Sequence, residues 1–467
     1  MRPEGPAQPA RQTGRRAAAR THRATGRCCA GARHTIVRFR HRHPTMTLPG
    51  APHLARRGRD LYLEDCQLAT LAQQHGTPLY VYSQASMLDA LAAYQRALAG
   101  RPHLICYAMK ANSSLAVLQT FARAGCGFDI VSGGELQRVL AAGASASKVV
   151  FSGVGKTRTE MRQALEAGVR CFNVESESEL ALLSQVAVEL GVRAPVSLRV
   201  NPDVDAGTHP YISTGLKGNK FGIAHEQALA VYRHAAQLPG IAVRGIDCHI
   251  GSQLTEVAPF LDALDRILDL VEAIEAAGIT LHHLDLGGGL GITYTDETPP
   301  SADELIAQLL ARIDARGHGH REIVFEPGRS LVGNAGVLLT EVLYLKPGET
   351  KNFCIVDAAM NDLMRPAMYE AWMGIVPCTE RDAPAVTWDV VGPVCESGDW
   401  LGRERELAVA PGDHLAILSA GAYGMAMASN YNTRGRAAEV MVRGHQATLI
   451  RRRESAAELY ANERLID

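Results

Sequence analysis

Leu104-Ile105-Cys106-Tyr107-Ala108-Met109-Lys110-Ala111-Asn112 is an apolar run that ends on a single lysine. It has the length and composition of a buried strand, and it breaks at Ala-Asn-Ser-Ser before a helical pattern begins. Lys110 therefore stands at the C-terminal lip of a strand. Desolvated there, its amine can shed a proton and attack an aldehyde, the entry to Schiff-base chemistry. A plain surface lysine at a strand end is the alternative, and the residues at equivalent positions along the chain decide between the two.

Outward from this run, strand-like segments alternate with amphipathic helical ones. The strand-like segments lie at 104–109, 127–131, 149–152, 171–174, 195–200, 243–249, 282–286 and 322–325. Helical patterns such as 115–124, 135–142, 158–167 and 177–190 separate them, several closed by glycine. Eight such units predict an α/β fold of the (β/α)8 TIM-type barrel kind, in preference to an open doubly wound sheet. In that architecture the chemistry sits at the C-terminal face. The residues found there are Lys110, Asp129 with Ser132, Ser152, Glu175, Asn201, His249 with Ser252, Gly287-Gly288-Gly289, and Glu326 with Arg329. All are polar or glycine.

From about residue 336 the pattern changes. Segments 336–345, 352–358, 386–391, 414–418 and 439–449 read as strands joined by turns. We expect a barrel over 80–335 and a mostly β C-terminal domain built from 336–467 and completed by 46–79. The 467 residues are 46% hydrophobic with a net charge of −1, enough for a large core in two or three domains. No apolar run approaches the roughly 20 residues needed to cross a bilayer. Ten scattered cysteines without a CxxC pair suggest reduced thiols in a cytoplasmic protein. Residues 1–45 stand apart: eleven Arg against the single acid Glu4 leave about −11 for the remainder. Such a basic leader can be a transit peptide or a nucleic-acid arm. We read it instead as a disordered or mis-assigned start ahead of Met46.

Two further segments carry chemistry. Gly287–Gly291 follows an apolar strand, and its bare backbone lets N–H groups approach a phosphate, although tight turns use the same residues. In Glu326-Pro327-Gly328-Arg329 a carboxylate leaves the last strand ahead of a guanidinium. It is either a local ion pair or an anion able to keep a pyridine nitrogen protonated. His249 is a core histidine or a ring laid flat on an aromatic cofactor. No metal site is expected.

Tyr107–Asn112, His249-Ile250-Gly251-Ser252-Gln253, Gly287–Gly291, Glu326–Arg329 and Gly392-Pro393-Val394-Cys395-Glu396-Ser397-Gly398-Asp399 together resemble the diaminopimelate decarboxylase family. Its members are fold-type III enzymes dependent on pyridoxal 5'-phosphate (PLP), with an alanine-racemase-like barrel. The resemblance runs from about Leu61 to the C-terminus and extends to 203–222, with Thr208–Gly215 and Lys220-Phe221-Gly222. It implies that Lys110 carries the cofactor and His249 stacks on its ring. Asp129 would lie near the imine, and Glu326 would pair with the pyridine nitrogen. Ser252, Gly287, Gly288, Gly289, Pro327, Gly328 and Arg329 would hold the phosphate. Cys395 would be the proton donor, with Arg329, Arg365, Tyr369 and Glu396 around a small-molecule amino-acid substrate and Tyr423 touching both substrate and cofactor. It further implies a homodimer with sites shared between subunits, and neither a nucleic-acid nor a membrane partner. Glu after the cysteine, where ornithine and arginine decarboxylases typically carry Asp, points to meso-diaminopimelate as substrate. Decarboxylation of ornithine, lysine or arginine is the alternative; a racemase or a non-catalytic PLP binder fits less well, since Lys110 and Cys395 are both present.

If Met46 is the start, the intact mass of the natively expressed chain will lack residues 1–45; a chain retaining Arg15 and Arg16 contradicts this.

Overall fold

The computed structural model describes residues 48–204, 214 and 219–467. The basic leader 1–45, and Thr208–Ser213 and Gly215 with most of the segment 203–222, lie outside the described residues. Eight parallel strands follow one another around a ring: β1 (His103–Ala108), β2 (Gly127–Ile130), β3 (Val149–Phe151), β4 (Cys171–Val174), β5 (Ala194–Asn201), β6 (Ile241–Asp247), β7 (His283–Asp285) and β8 (Glu322–Phe325). The last pairs with the first through Ile323↔His103, Val324↔Leu104 and Phe325↔Ile105, which closes the barrel. Each of the eight expected runs is one of these strands, with ends displaced by a few residues at most.

Strand alternation divides the core. Ile105, Tyr107, Phe128, Phe151 and Phe172 face the helices and join the main apolar cluster. On the opposite strand faces Leu104, Cys106, Val150, Cys171 and Val324 form a small separate cluster inside the barrel. Two positions further along the same faces stand Ala108, Ser152, Asn173 and Glu326. The barrel interior thus turns from apolar to polar toward the C-terminal rim, as period-two strands in a closed ring require. Side-chain caps set where the surrounding helices begin. Ser132, Ser176 and Ser301 each accept from the backbone N–H three residues on, and Thr157 forms a full capping box with Glu160.

In the β domain the long strand Gly336–Lys346 pairs antiparallel with Leu79–Ser83, Phe353–Val356 and His414–Ile417. Leu79–Ser83 in turn pairs parallel with Ala438–Arg443. The expected strand 439–449 is two, Ala438–Arg443 and Gln446–Arg451, because Gly444 turns the chain at a φ of 58°. Trp400–Leu407 and Ile375–Pro377 are further strands that the sequence reading does not contain. A small sheet of Leu54–Arg57, Asp60–Leu63 and Cys66–Gln67 precedes them. Among the described residues no helix is long and apolar enough to cross a membrane.

A loop of the β domain seals against the barrel rim. Gly421 N–H donates to Gly333, Tyr423 N–H to the Ala111 carbonyl at 2.7 Å, and the Asn112 amide to the Gly421 carbonyl at 3.2 Å. A Cβ on Gly421 would come within 1.9 Å of the Val332 carbonyl, so only glycine permits this approach.

Phe172 packs on Phe151 with ring centroids 5.8 Å apart in the strand–helix layer. Phe172→Ala should therefore lower the unfolding free energy by about 3–5 kcal/mol in urea titration; a loss under about 1 kcal/mol would contradict the packing described.

Candidate active site

Lys110 lies in the single helical turn Met109–Ala111 that immediately follows β1. Its Nζ donates to Asp129 Oδ2 at 2.5 Å. The Asp129 side chain is fully buried at the end of β2, whereas that of Lys110 remains 40% exposed. Burial by itself lowers the pKa of the amine, as the sequence reading expects, but Asp129, then Tyr423 and Glu326, outweigh it and the net shift is upward. The free amine is thus an ammonium held by a carboxylate, a correction to the picture of a desolvated neutral lysine. Asp129 Oδ1 has no partner among the described residues.

Three turns stack beside this pair. Gly287 has a φ of +64°, and a Cβ there would sit 2.6 Å from the Cys248 carbonyl; at Gly288 it would sit 2.2 Å from the Glu326 carbonyl. The Glu326 N–H donates to the Gly287 carbonyl at 2.6 Å and Ala108 N–H to the Pro327 carbonyl at 3.0 Å. Gly328 lies against Ala108 and Ala111, where a Cβ would come within 3.2 Å of each side chain. Side-chain-free turns at the ends of β7 and β8 therefore form a cradle of backbone next to Lys110. His249, just past β6, accepts from the Gly288 N–H at 3.2 Å through Nδ1. Burial, then Arg199 and Lys110, push its pKa well below the usual value, so it is a neutral ring.

Inside the barrel, below the cradle, Glu326 accepts from the Asn173 amide at 3.1 Å, and Asp285 accepts from the Gly287 N–H at 3.0 Å. Asp247, Asp285 and Glu326 bring carboxylate oxygens within 4.8 Å of one another, all buried. Burial raises all three pKa values, helped by the charge of Asp285 at Asp247, of Asp129 and Asp285 at Glu326, and of Asp129 at Asp285, which is pushed up to about 6. Asn173, Asp247 and Asp285 are residues that the sequence reading missed. Asp285, two residues before the triple glycine at a strand end, carried the one available signal.

On the outer side Arg329 donates to Ser252 Oγ at 3.1 Å and to the Tyr294 hydroxyl at 2.5 Å, and lies 4.9 Å over the Tyr423 ring. Arg365 is buried with its guanidinium 5.4 Å from the Tyr294 ring and 5.7 Å from that of Tyr369; its Nε has no partner among the described residues. Tyr294, between the two arginines, is another residue the sequence reading missed. Tyr423 holds its place at a φ of 55°, a conformation costly for a tyrosine and typical of functional sites. Cys395 and Glu396 stand elsewhere. Their loop is folded around buried Asp399, which accepts from Met360 N–H at 2.6 Å and Val394 N–H at 2.7 Å. Both side chains point to solvent, and Cys395 is the one exposed cysteine among the eight described. Of the other strand-end residues, Ser132 caps a helix and Glu175 pairs with Arg199 at 3.1 Å, both structural duties.

The family profile described as "Pyridoxal-dependent decarboxylase, pyridoxal binding domain" matches residues 84–333. A diaminopimelate decarboxylase from Pseudomonas aeruginosa is 61% identical over 410 residues, 88% of this chain and 98% of that protein. The chain belongs to the diaminopimelate decarboxylase family. The Vibrio cholerae diaminopimelate decarboxylase is 58% identical over 87% of this chain and 97% of its own length. Among solved structures, the M. jannaschii diaminopimelate decarboxylase in complex with L-lysine superposes with a TM-score of 0.86 at 39% identity, covering 90% of this chain and 99% of that one. The Helicobacter pylori diaminopimelate decarboxylase with L-lysine gives 0.81 at 41% identity, covering 84% and 98%.

Diaminopimelate decarboxylases are PLP-dependent carboxy-lyases, and the residues present fit that cofactor. An amine sits at a reachable rim, a glycine cradle admits nothing larger than backbone, and among the described residues one buried carboxylate oxygen each of Asp129 and Asp285 lacks a donor.

Because the Asp285 carboxyl is pushed up to about 6 against about 3.9 unfolded, the folded state binds the extra proton between those values, and stability falls as pH rises through the window. Asp285→Asn removes this residue's share of the slope. In urea titrations of cofactor-free protein, its stability relative to the parent should improve from pH 4 to pH 6.5; a constant difference would contradict the shift.

Proposed function

We propose that this protein decarboxylates meso-2,6-diaminopimelate to L-lysine and CO2, the last step of lysine biosynthesis by the diaminopimelate route, with the residue roles set out below. The observation that carries the reading is the Lys110–Asp129 contact of 2.5 Å at the rim where the glycine cradle and Glu326 converge. Bound PLP supplies an electron sink for the pair left on Cα when CO2 departs. Lys110 holds that cofactor covalently, and Asp129 keeps the charge beside its nitrogen compensated. His249, uncharged and tied through Nδ1 to Gly288, offers a flat apolar face. Glu326, oriented by Asn173, faces the ring nitrogen. Ser252, Gly287, Gly288, Gly289, Pro327, Gly328 and Arg329 surround the phosphate.

Substrate choice lies with the arginines. Arg329 and Arg365 present planar forks suited to a carboxylate, and the unpartnered Nε of Arg365 leaves one donor free for it. Tyr369 and Tyr423 bound the same space, and Glu396 receives the distal ammonium. Cys395 delivers a proton to Cα, a task suited to a thiol near neutral pH.

Exposure of Cys395 and Glu396 supports a homodimer in which each loop completes the neighbour's site. Met368, Trp372 and Tyr431, half-exposed, belong to the same segments as the substrate residues and the Cys395 loop. Such a patch fits coverage by a second copy. Buried, unpaired cysteines fit a reducing cytoplasm.

Purified protein with PLP should form lysine from meso-diaminopimelate; turnover of ornithine with none of diaminopimelate would overthrow the substrate assignment. Lys110→Ala and Cys395→Ala should each be inactive or nearly so, and mixing them should restore about one quarter of parental activity through hybrid dimers. No rescue would contradict shared sites.

A further inference from the structure

Glu326 does not face the ring nitrogen alone. Asp285 and Asp247, from the ends of β7 and β6, bring their oxygens within 4.8 Å of it and of each other. The donors available are few. Asn173 serves Glu326, and the Gly287 N–H serves one oxygen of Asp285. Among the described residues, Asp285 Oδ2 and Asp247 Oδ1 have no donor. Among the described residues two cations are within range, and both are committed: Lys110 to Asp129 at 2.5 Å, and Arg199 to Glu175 at 3.1 Å with Asp247 at 4.0 Å. Asp129 and Glu175 add negative charge from β2 and β4. Three adjacent buried carboxylates with so little compensation do not all ionise; neighbouring ones share a proton, as carboxyl pairs do.

We propose that Asp285 is a positioning residue that shares one proton with Glu326, and that this proton passes to the pyridine nitrogen when the cofactor seats. The step balances. The lone pair of the ring nitrogen takes the proton, the carboxyl pair goes from one negative charge to two, and the pocket's total charge is unchanged. The cofactor therefore meets its proton already inside the barrel, and Asp285 acts through Glu326 without touching the ring. The inference rests on the PLP reading above and extends it to residues that the substrate never reaches.

Infrared difference spectroscopy of the cofactor-free protein near pH 7 tests it directly. The parent should show the carbonyl stretch of a protonated buried carboxyl, and that band should vanish on titration with PLP. Asp285→Asn, nearly isosteric, should lack the band before PLP is added. A band that persists with PLP bound, or that survives in Asp285→Asn, overturns the shared proton while leaving the cofactor reading intact. A parent protein that binds no PLP overturns both. Metal analysis completes the test, since a divalent cation bound at unit stoichiometry among the three carboxylates would replace the proton and overturn the proposal.

Discussion

Closure of the strand ring is the constraint on which the site depends. Each strand buries one face against helices and turns the other inward, so eight short segments deliver their inward residues to one narrow volume. Pairing of β8 with β1 brings Glu326 to Lys110, although 216 positions separate them in the chain. Without that ladder the lysine would be an amine at the end of an isolated strand. With it, the amine faces a pool of buried acid.

The electrostatics of that pool explain the chemistry better than any single residue does. Asp129 compensates Lys110, Glu175 compensates Arg199, and Asp247, Asp285 and Glu326 remain in excess. A buried excess of carboxylate is costly, and an electron-poor cationic ring is a natural occupant of such a place. The cationic half of the site lies on the opposite side, where Arg329 and Arg365 are spaced by Tyr294.

Much of this was legible in the sequence because strand periodicity and strand-end polarity are local. Lys110, Asp129, His249, the triple glycine, Glu326 and Arg329 all follow apolar runs, and the structure gathers them at one rim. What was hidden depends on tertiary closure. Asp247, Asp285 and Asn173 lie within the strand runs, where a sequence reading assigns them to pairing and not to an interior shared by all eight strands. The charge state of Lys110 was misjudged for the same reason, since the carboxylates that hold its proton come from other strands. Trp400–Leu407 was missed because its charged alternation, Arg403-Glu404-Arg405-Glu406, resembles a solvated loop; Arg405 is in fact buried and lies over the Trp372 ring. Cys395 and Glu396 were legible only as a motif, for in this chain their side chains meet solvent.

Attachment of the cofactor to one particular amine is the central claim, and chemical trapping addresses it most directly. Borohydride reduction of the PLP-loaded protein, followed by digestion and mass mapping, should find the reduced adduct on the peptide containing Lys110 at one per chain. An adduct on Lys148 or Lys156 in its place, or an unmodified Lys110 in protein that has retained PLP, would contradict the account.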